Sequence, residues 1–476
     1  MIPQPPIPEP LWNTVPPDAQ VAIRAVFDSL QGRIAELERR VGDLEARLKL
    51  NSTNSSKPPS SDPIGFKRKP PTPPSGRKRG GQPGHPRAQR RLVPAEKVRS
   101  ITECRPTDCR RCGHALAGED PTPWVHQVAE LPKIEPLVDE YRLHRLGCPQ
   151  CGATTCGTPP EGVPQGCFGP YLQAVLATLA GGYRLSKRQV QQMAGDLFGL
   201  SIATGMVSKL ERQSATALEA PYNEVALVVH GAPAAGIDDT SWREDRRKAQ
   251  LWVVVTALTT VFTIVAQRSA AVAQALLGSK PGQGVTSDRH SSFEWIDPAW
   301  RQICWSHLER DFQAMIDRGG AGEATGRVLL RLAKRMFRWW HRVRDGTIDR
   351  ARFKTIAARL RREVKAALEA GQSRGCVKTA ATCFEILKVE EALWTFVRVE
   401  GIEPTNNGPE RASRHAVIWR RISGGTDSTD GSRFVERMLT VVATCRQQKR
   451  NVLEYLSSCF EAHLRGQKVP SLLPGN

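Results

Sequence analysis

The sequence predicts a multidomain α+β protein: an α/β core interrupted by a helical insertion, and preceded by a coiled coil, a zinc-binding module and a helix-turn-helix-like helical domain. Three observations carry this. At 476 residues the chain exceeds what one hydrophobic core supports, and roughly three or four domains are expected. Short apolar, β-branched runs cluster between Ala234 and Trp305, with helical periodicity on both sides of them. Ahead of them lie a heptad seam and two paired-cysteine spacings, each the mark of a different kind of module.

Residues 1–18 form a proline-rich leader expected to be disordered. The start, Met-Ile-Pro-Gln-Pro-Pro, has no basic region followed by an apolar stretch, so no secretory signal is expected. In residues 19–50, Ile23, Phe27, Leu30, Ile34, Leu37, Val41, Leu44 and Leu48 alternate spacings of four and three. Phe27, Ile34, Val41 and Leu48 fall at a, the others at d, which favours a parallel two-stranded coil. A homodimer, or a larger assembly built on one, is therefore expected.

Charge points to the partner. The chain holds 68 basic and 48 acidic residues, a formal net charge of +20, which favours a polyanion. Residues 51–100 carry 12 basic and 2 acidic residues, and residues 326–370 carry 14 and 4, so these two blocks hold essentially all of the excess. The first block is a basic linker, residues 51–98, expected to be disordered. Lys67, Arg68, Lys69, Arg77, Lys78 and Arg79 are its candidate DNA contacts, set among glycines and prolines that keep the backbone irregular.

Residues 99–168 contain Cys109-Arg-Arg-Cys112 and Cys148-Pro-Gln-Cys151, each followed by a glycine. Four thiolates at this spacing are a closed structural Zn²⁺ site that folds the segment; Cys104, Cys156 and His114 are nearby substitutes. Twelve cysteines without an export signal read as reduced thiols and metal ligands before disulfides. Residues 169–225 read as helices. Gly181-Gly182 breaks the first, Ser186 caps the second, which bears Val190, Met193 and Leu197, Gly199 turns the chain, and a third carries Ile202, Val207 and Leu210. That spacing is helix-turn-helix-like, with Thr204, Ser208, Lys209 and Arg212 on the side free for DNA.

The core is expected in residues 230–318 and 401–462, with 319–400 a helical, arginine-rich insertion containing Trp339-Trp340, and 463–476 a tail. Ala234–Asp238, Leu251–Leu258 and Val261–Ala266 read as three antiparallel strands, then a helix from Ser269 to Leu277, a strand ending at Asp288, and another over Ile303–Trp305. The longest apolar stretch, Leu251–Ala266, is too short and too β-branched for a membrane span. Asp238 and Asp288 lie at strand ends and Glu410 opens a helix. Three carboxylates brought together repel unless cations fill the site, and Mg²⁺ or Mn²⁺, two per active site, suit phosphodiester chemistry. Arg411 and Arg414 follow Glu410 closely and are candidate phosphate partners. Asn406 and Asn407 are expected to cap that helix.

The heptad helix, Asn-Ser-Ser-Lys-Pro-Pro-Ser-Ser-Asp62, Arg79-Gly-Gly-Gln-Pro-Gly-His-Pro86, the cysteine knuckles, Asp238-Asp-Thr, Cys304-Trp-Ser-His307 and Asn406-Asn-Gly-Pro-Glu-Arg411 occur in one order. In that order the chain resembles the insertion sequence sixty-six transposase family over roughly residues 20–460. The resemblance implies a ribonuclease H-like catalytic core with the first and fourth strands as central neighbours. It also implies a bacterial, cytoplasmic DNA transposase at the nucleoid, whose triad falls on Asp238, Asp288 and Glu410. Its partners would be element ends and target DNA, with room for helper proteins from the same element. Asp239 stands where the family usually has Glu, which leaves open whether Asp238 or Asp239 is the first metal ligand. His307 resembles part of a Cys-x2-His element of related transposases. A non-catalytic zinc and helix-turn-helix regulator is the alternative function, and an RNA-directed nuclease a third.

Overall fold

The computed structural model describes residues 7–48, 50–52, 55–57, 62, 92–279, 284–373 and 375–474. Lys67, Arg68, Lys69, Arg77, Lys78 and Arg79, and the motif from Arg79 to Pro86, lie outside these residues.

Where described, the leader is ordered, which corrects the expectation. Glu9–Trp12 forms one helical turn (α1) and Pro17–Leu48 a long helix, α2. The Gln20 side chain donates to the Trp12 and Val15 carbonyls at 2.9 and 3.1 Å, tying the two together. Leu30, Ile34, Leu37, Val41 and Leu44 are each more than half exposed, so among the described residues the heptad seam has no cover within the chain. The linker is structured at its ends. Ser55 is buried in a turn closed on the Asn51 carbonyl, the Ser56 N–H donates to Asp317 at 2.7 Å, and Ala95–Lys97 is a 3-10 turn.

Residues 99–168 hold a short antiparallel hairpin, β1 (Arg145–Gly147) and β2 (Thr154–Cys156). Trp124, Val128, Leu131 and Leu137 are more than four-fifths exposed.

Helices α3 (Pro170–Ala177), α4 (Lys187–Phe198), α5 (Thr204–Ala217) and α6 (Glu219–His230) follow. Ser186 and Gln189 form a reciprocal capping box that starts α4, and Gly199, at φ 65°, ends it in the left-handed region. Leu197 is half exposed on α4, and Ile202 is buried but lies in the turn before α5 rather than, as expected, on that helix. Gly181 does more than interrupt α3: a Cβ there would lie 2.9 Å from Met438, so its small size lets a later helix pack against it. These helices share one core with the sheet, running from Leu176, Val190, Leu210 and Val225 to Ile237 and Trp252. The packing has no break at residues 225–230.

The sheet comprises β3 (Ala234–Glu244), β4 (Arg247–Val255), β5 (Thr260–Val265), β6 (Gly284–Ser287) and β7 (Arg301–Ile303), in the order β5-β4-β3-β6-β7. The first three are antiparallel; β3–β6 and β6–β7 are parallel. The first and fourth strands are thus central neighbours, as expected. β3 runs six residues past Asp238 because Asp245 and Arg246, both at positive φ, close a two-residue hairpin onto β4. Trp305 is not in a strand. Its N–H donates to the Pro404 carbonyl at 2.9 Å, turning the chain out of the sheet to open helix α8 (Trp305–Asp317). Helix α7 (Ala270–Leu277), capped by Ser269, covers one face.

Helices α9 (Ala321–Arg344), α10 (Arg350–Gln372), α11 (Val377–Lys388) and α12 (Thr395–Arg398) form the insertion and bury a core shared with α8. Trp340 packs edge-on against Phe396 and donates to Glu403 at 3.1 Å. Helices α13 (Asn407–Ser423), α14 (Thr429–Gln447) and α15 (Val452–Leu464) complete the fold. α14 lies along the open edge of β5. Glu436, Thr440 and Thr444, four residues apart, accept from the N–H groups of Ile264, Phe262 and Thr260. A helix advances about 6 Å in four residues and a strand about 6.8 Å in two, so the two periods match over this length. The tail folds back: Leu472 is buried, and its N–H and the Ser471 hydroxyl both donate to Glu224.

Candidate active site

Strand alternation separates the two neighbouring aspartates. Gly236 faces α13, where an added Cβ would lie 2.8 Å from Pro409 Cγ. Asp238, two residues on, takes the same face. It stands opposite Val253, which packs in the core beneath α13 and α14. Asp239 stands opposite Trp252 and turns to the α7 face. Asp288 follows the last residue of β6. The register pairs Gly236 with Thr286, and its continuation by two residues sets Asp288 beside Asp238. Glu410 sits in the first turn of α13, where the helix dipole favours an acid.

Asp238, Asp288 and Glu410 approach one another without closing into a tight set: among the described residues their oxygens do not all lie within 4.8 Å of one another. Their charges are felt over that distance. Asp238 is pushed up to about 8, first by burial, then by the Glu410, Asp239 and Asp288 carboxylates around it. Burial also raises Glu410, opposed by Arg310 and Arg414, and raises Asp239, opposed by Arg268. Arg268 lies 2.8 Å from Asp239 Oδ1 and 3.2 Å from Asp288 Oδ2, so one guanidinium spans two carboxylates. Carboxylate oxygens whose charges repel one another fit a hard divalent cation by donor chemistry.

Around the acids, buried groups fix positions. Arg301 donates to the Ser287 hydroxyl at 3.2 Å and the Asp288 carbonyl at 2.8 Å, and burial lowers it to about 10. The Asn406 side chain does not cap α13, contrary to expectation. Its amide donates to the Ile237 carbonyl at 2.7 Å and its N–H to the Cys304 sulfur at 3.2 Å, which locks α13 onto β3 and onto the start of α8. His307 Nδ1 lies 3.8 Å from Glu410 Oε1, and burial holds its ring neutral, at about 4. Burial pushes the Cys304 thiol up to about 11.

The other candidates lie elsewhere. Arg411 and Arg414 are exposed on α13, Arg414 close enough to Glu410 to influence it. Lys209 and Arg212 are exposed on α5. On the insertion, Arg331, Lys334, Arg335 and Arg338 line a cleft of about 1000 Å³. The knuckles are built alike. Gly113 and Gly152 each have φ 72°, and backbone amides at positions 111 and 112 and at 151 and 150 lower the Cys109 and Cys148 thiols. Among the described residues no three of Cys109, Cys112, Cys148 and Cys151 come within 4.8 Å of one another; Cys112 lies against Cys109 and Cys151 against Cys148. Arg268, Arg301 and Arg310 were not foreseen. Each is an ordinary arginine in sequence, remote from the acids it serves.

Comparison with known proteins gives this arrangement a family. The Transposase IS66 family matches residues 165–433, more than half of the chain, and the protein belongs to that family. The matched segment holds the five-stranded sheet, the insertion and all three acids. A family of unknown function (DUF6444) matches residues 7–91. An uncharacterized protein, y4qI of Sinorhizobium fredii (strain NBRC 101917 / NGR234), is 29% identical over 188 residues, 36% of this chain and 33% of the relative. The aligned stretch thus spans about a third of that protein. Among the described residues no helix is long and apolar enough to cross a membrane.

Proposed function

We propose that the protein is a DDE-type DNA transposase that binds the terminal inverted repeats of its insertion sequence and cuts and joins DNA with a ribonuclease H-like core. The observation that carries this is that buried Asp238, on β3 beside parallel β6, feels the charges of Glu410 from α13 and of Asp288 from the end of β6. Asp238 would hold both ions of a Mg²⁺ or Mn²⁺ pair, with Asp288 and Glu410 taking one each. Asp238 is favoured over Asp239 because, burial apart, the Glu410 carboxylate acts on it most strongly. When bound, such a pair supplies activation of the attacking oxygen and stabilisation of the departing one. Arg301 and Asn406 keep the acids in place. Arg411 and Arg414 orient the scissile phosphate from the exposed face of α13. The reaction frees a 3′-hydroxyl at the element end and directs it at target DNA.

The remaining parts serve that chemistry. The basic linker, Lys209 and Arg212 of the helix-turn-helix-like unit, and the cleft on α9 give contacts to DNA. A structural Zn²⁺ would draw Cys109, Cys112, Cys148 and Cys151 together as its four ligands, and the heptad seam of α2 would pair two copies so that both ends are cut together. The test is strand nicking of duplexes carrying the element's terminal repeats with Mg²⁺ or Mn²⁺. Wild type is expected to nick, and Asp288→Ala to bind without nicking. Nicking absent from wild type on the correct ends rejects the enzyme, and mobility retained by Glu410→Ala would favour the regulator. Faster cleavage of RNA–DNA hybrid than of duplex DNA would favour the third reading.

A further inference from the structure

The first turn of α8 carries donors that the two-metal reading does not use. Cys304 is its N-cap, and His307 follows three residues later. With Glu410 they bring a sulfur, an imidazole nitrogen and a carboxylate oxygen within 4.8 Å of one another. His307 Nδ1 is buried with no hydrogen-bond partner. Its 3.8 Å separation from Glu410 is too long for a hydrogen bond. It is near the roughly 3.4 Å between two ligands on one tetrahedral zinc, given bonds of about 2.1 Å. The Cys304 sulfur accepts the Asn406 N–H, and the amides of His307 and Ser306 also point at it. Burial works against the thiolate, and these amides offset part of it; a buried ring nitrogen without a hydrogen-bond partner is a ready ligand.

We propose that Cys304, His307 and Glu410 form a site for a thiophilic divalent cation of the zinc class, with a fourth position open. Binding replaces the Cys304 S–H bond with a sulfur–metal bond and releases that proton to solvent; no electrons are transferred. Thiolate and imidazole select Zn²⁺ or Co²⁺, while the carboxylates on the other side of Glu410 select Mg²⁺ or Mn²⁺. Glu410 is common to both sets. Filling the soft site therefore draws Glu410 from Asp238, a consequence that rests on the transposase reading, whereas binding itself does not.

Cobalt titration of the full chain, followed by thiolate-to-cobalt absorption, tests the site. Two components are expected, one from the knuckles and one carrying a single thiolate. Cys304→Ser and His307→Gln should each abolish the second and spare the first, and Cys148→Ser should do the opposite. His307→Gln alters a partly exposed side chain and so guards against misfolding in the cysteine variant. Identical spectra and stoichiometry in wild type and both α8 variants overturn the proposal. A cobalt signal that follows Cys304 and His307 in a protein that nicks no DNA upholds the site and removes the transposase reading. Nicking with a signal indifferent to both variants does the reverse.

Discussion

Residues 92–168 and residues 170–464 are held in shape by different forces. In the first, large apolar side chains such as Trp124 and Leu137 stay in solvent, and order comes from local devices: two glycine turns, a hairpin, and the Gln127 side chain bonded to both backbone groups of Val93. In the second, tryptophans 242, 252 and 305 are fully buried and cores cover both faces of the sheet. Turn chemistry can shape each cysteine pair but cannot bring two pairs together across some 35 residues; a metal's bond energy can. Burial needs no such help.

The largest effect that would break this contrast is metal removal. Apparent zinc contributions to folding are about 10–16 kcal/mol in small modules. Chelation of zinc-loaded protein should therefore make residues 92–168 protease-sensitive while leaving the calorimetric transition of the remainder unmoved. A shared shift of both would show that the regions fold as one.

Next comes a pH effect confined to the core. Glu436 is fully buried, and burial raises it from its ordinary 4.5 to about 7 against the pull of the Ile264 N–H and Arg433. The folded state therefore holds a proton that the unfolded state has lost between those values. The stabilising term is complete below about pH 4.5 and is lost as pH rises through about 7. Across that window, the stability difference between Glu436→Gln and wild type should shift in favour of the variant by on the order of 3 kcal/mol, read by denaturant melts at several pH values. A pH-independent difference would refute the burial argument.

Two smaller changes sharpen the comparison. Thr440→Val keeps the shape of the side chain but strands the Phe262 N–H, at about 1–3 kcal/mol in urea unfolding. Gly236→Ala pushes against Pro409 and Asn406, costs a similar amount, and should reduce nicking more than stability because it displaces the helix that carries Glu410. At the other extreme, Leu137→Ser in the exposed region should alter stability by less than about 0.5 kcal/mol; a larger loss would reveal a packed state of that segment.

Much of this was legible in the residues. β-branched runs gave the strands around Asp238 and Asp288, and Ser186, Gly199 and Ser269 marked helix ends where the backbone uses them. The reading failed where distant groups compete for the same atoms. Asn406 looked like a cap, but the buried Ile237 carbonyl takes its amide. Asp245-Arg246 lacks the glycine that announces a hairpin, yet it makes one because nine register pairs close behind it. Arg268, Arg301 and Arg310 were invisible because a charge in sequence does not say which carboxylate it will face. Helix α14 carried no signal either, since Glu436, Thr440 and Thr444 read as ordinary polar positions.

That stripe on α14 bears on what happens once two molecules are tethered. Copies joined through α2 would confront each other at an effective concentration on the order of millimolar, where bare strands tend to zip across molecules into aggregates. Of the two edge strands, the longer one, β5, has three of its N–H groups already spoken for by Glu436, Thr440 and Thr444. It has little left to offer a neighbour, so along that edge closeness between copies need not become fusion of their sheets.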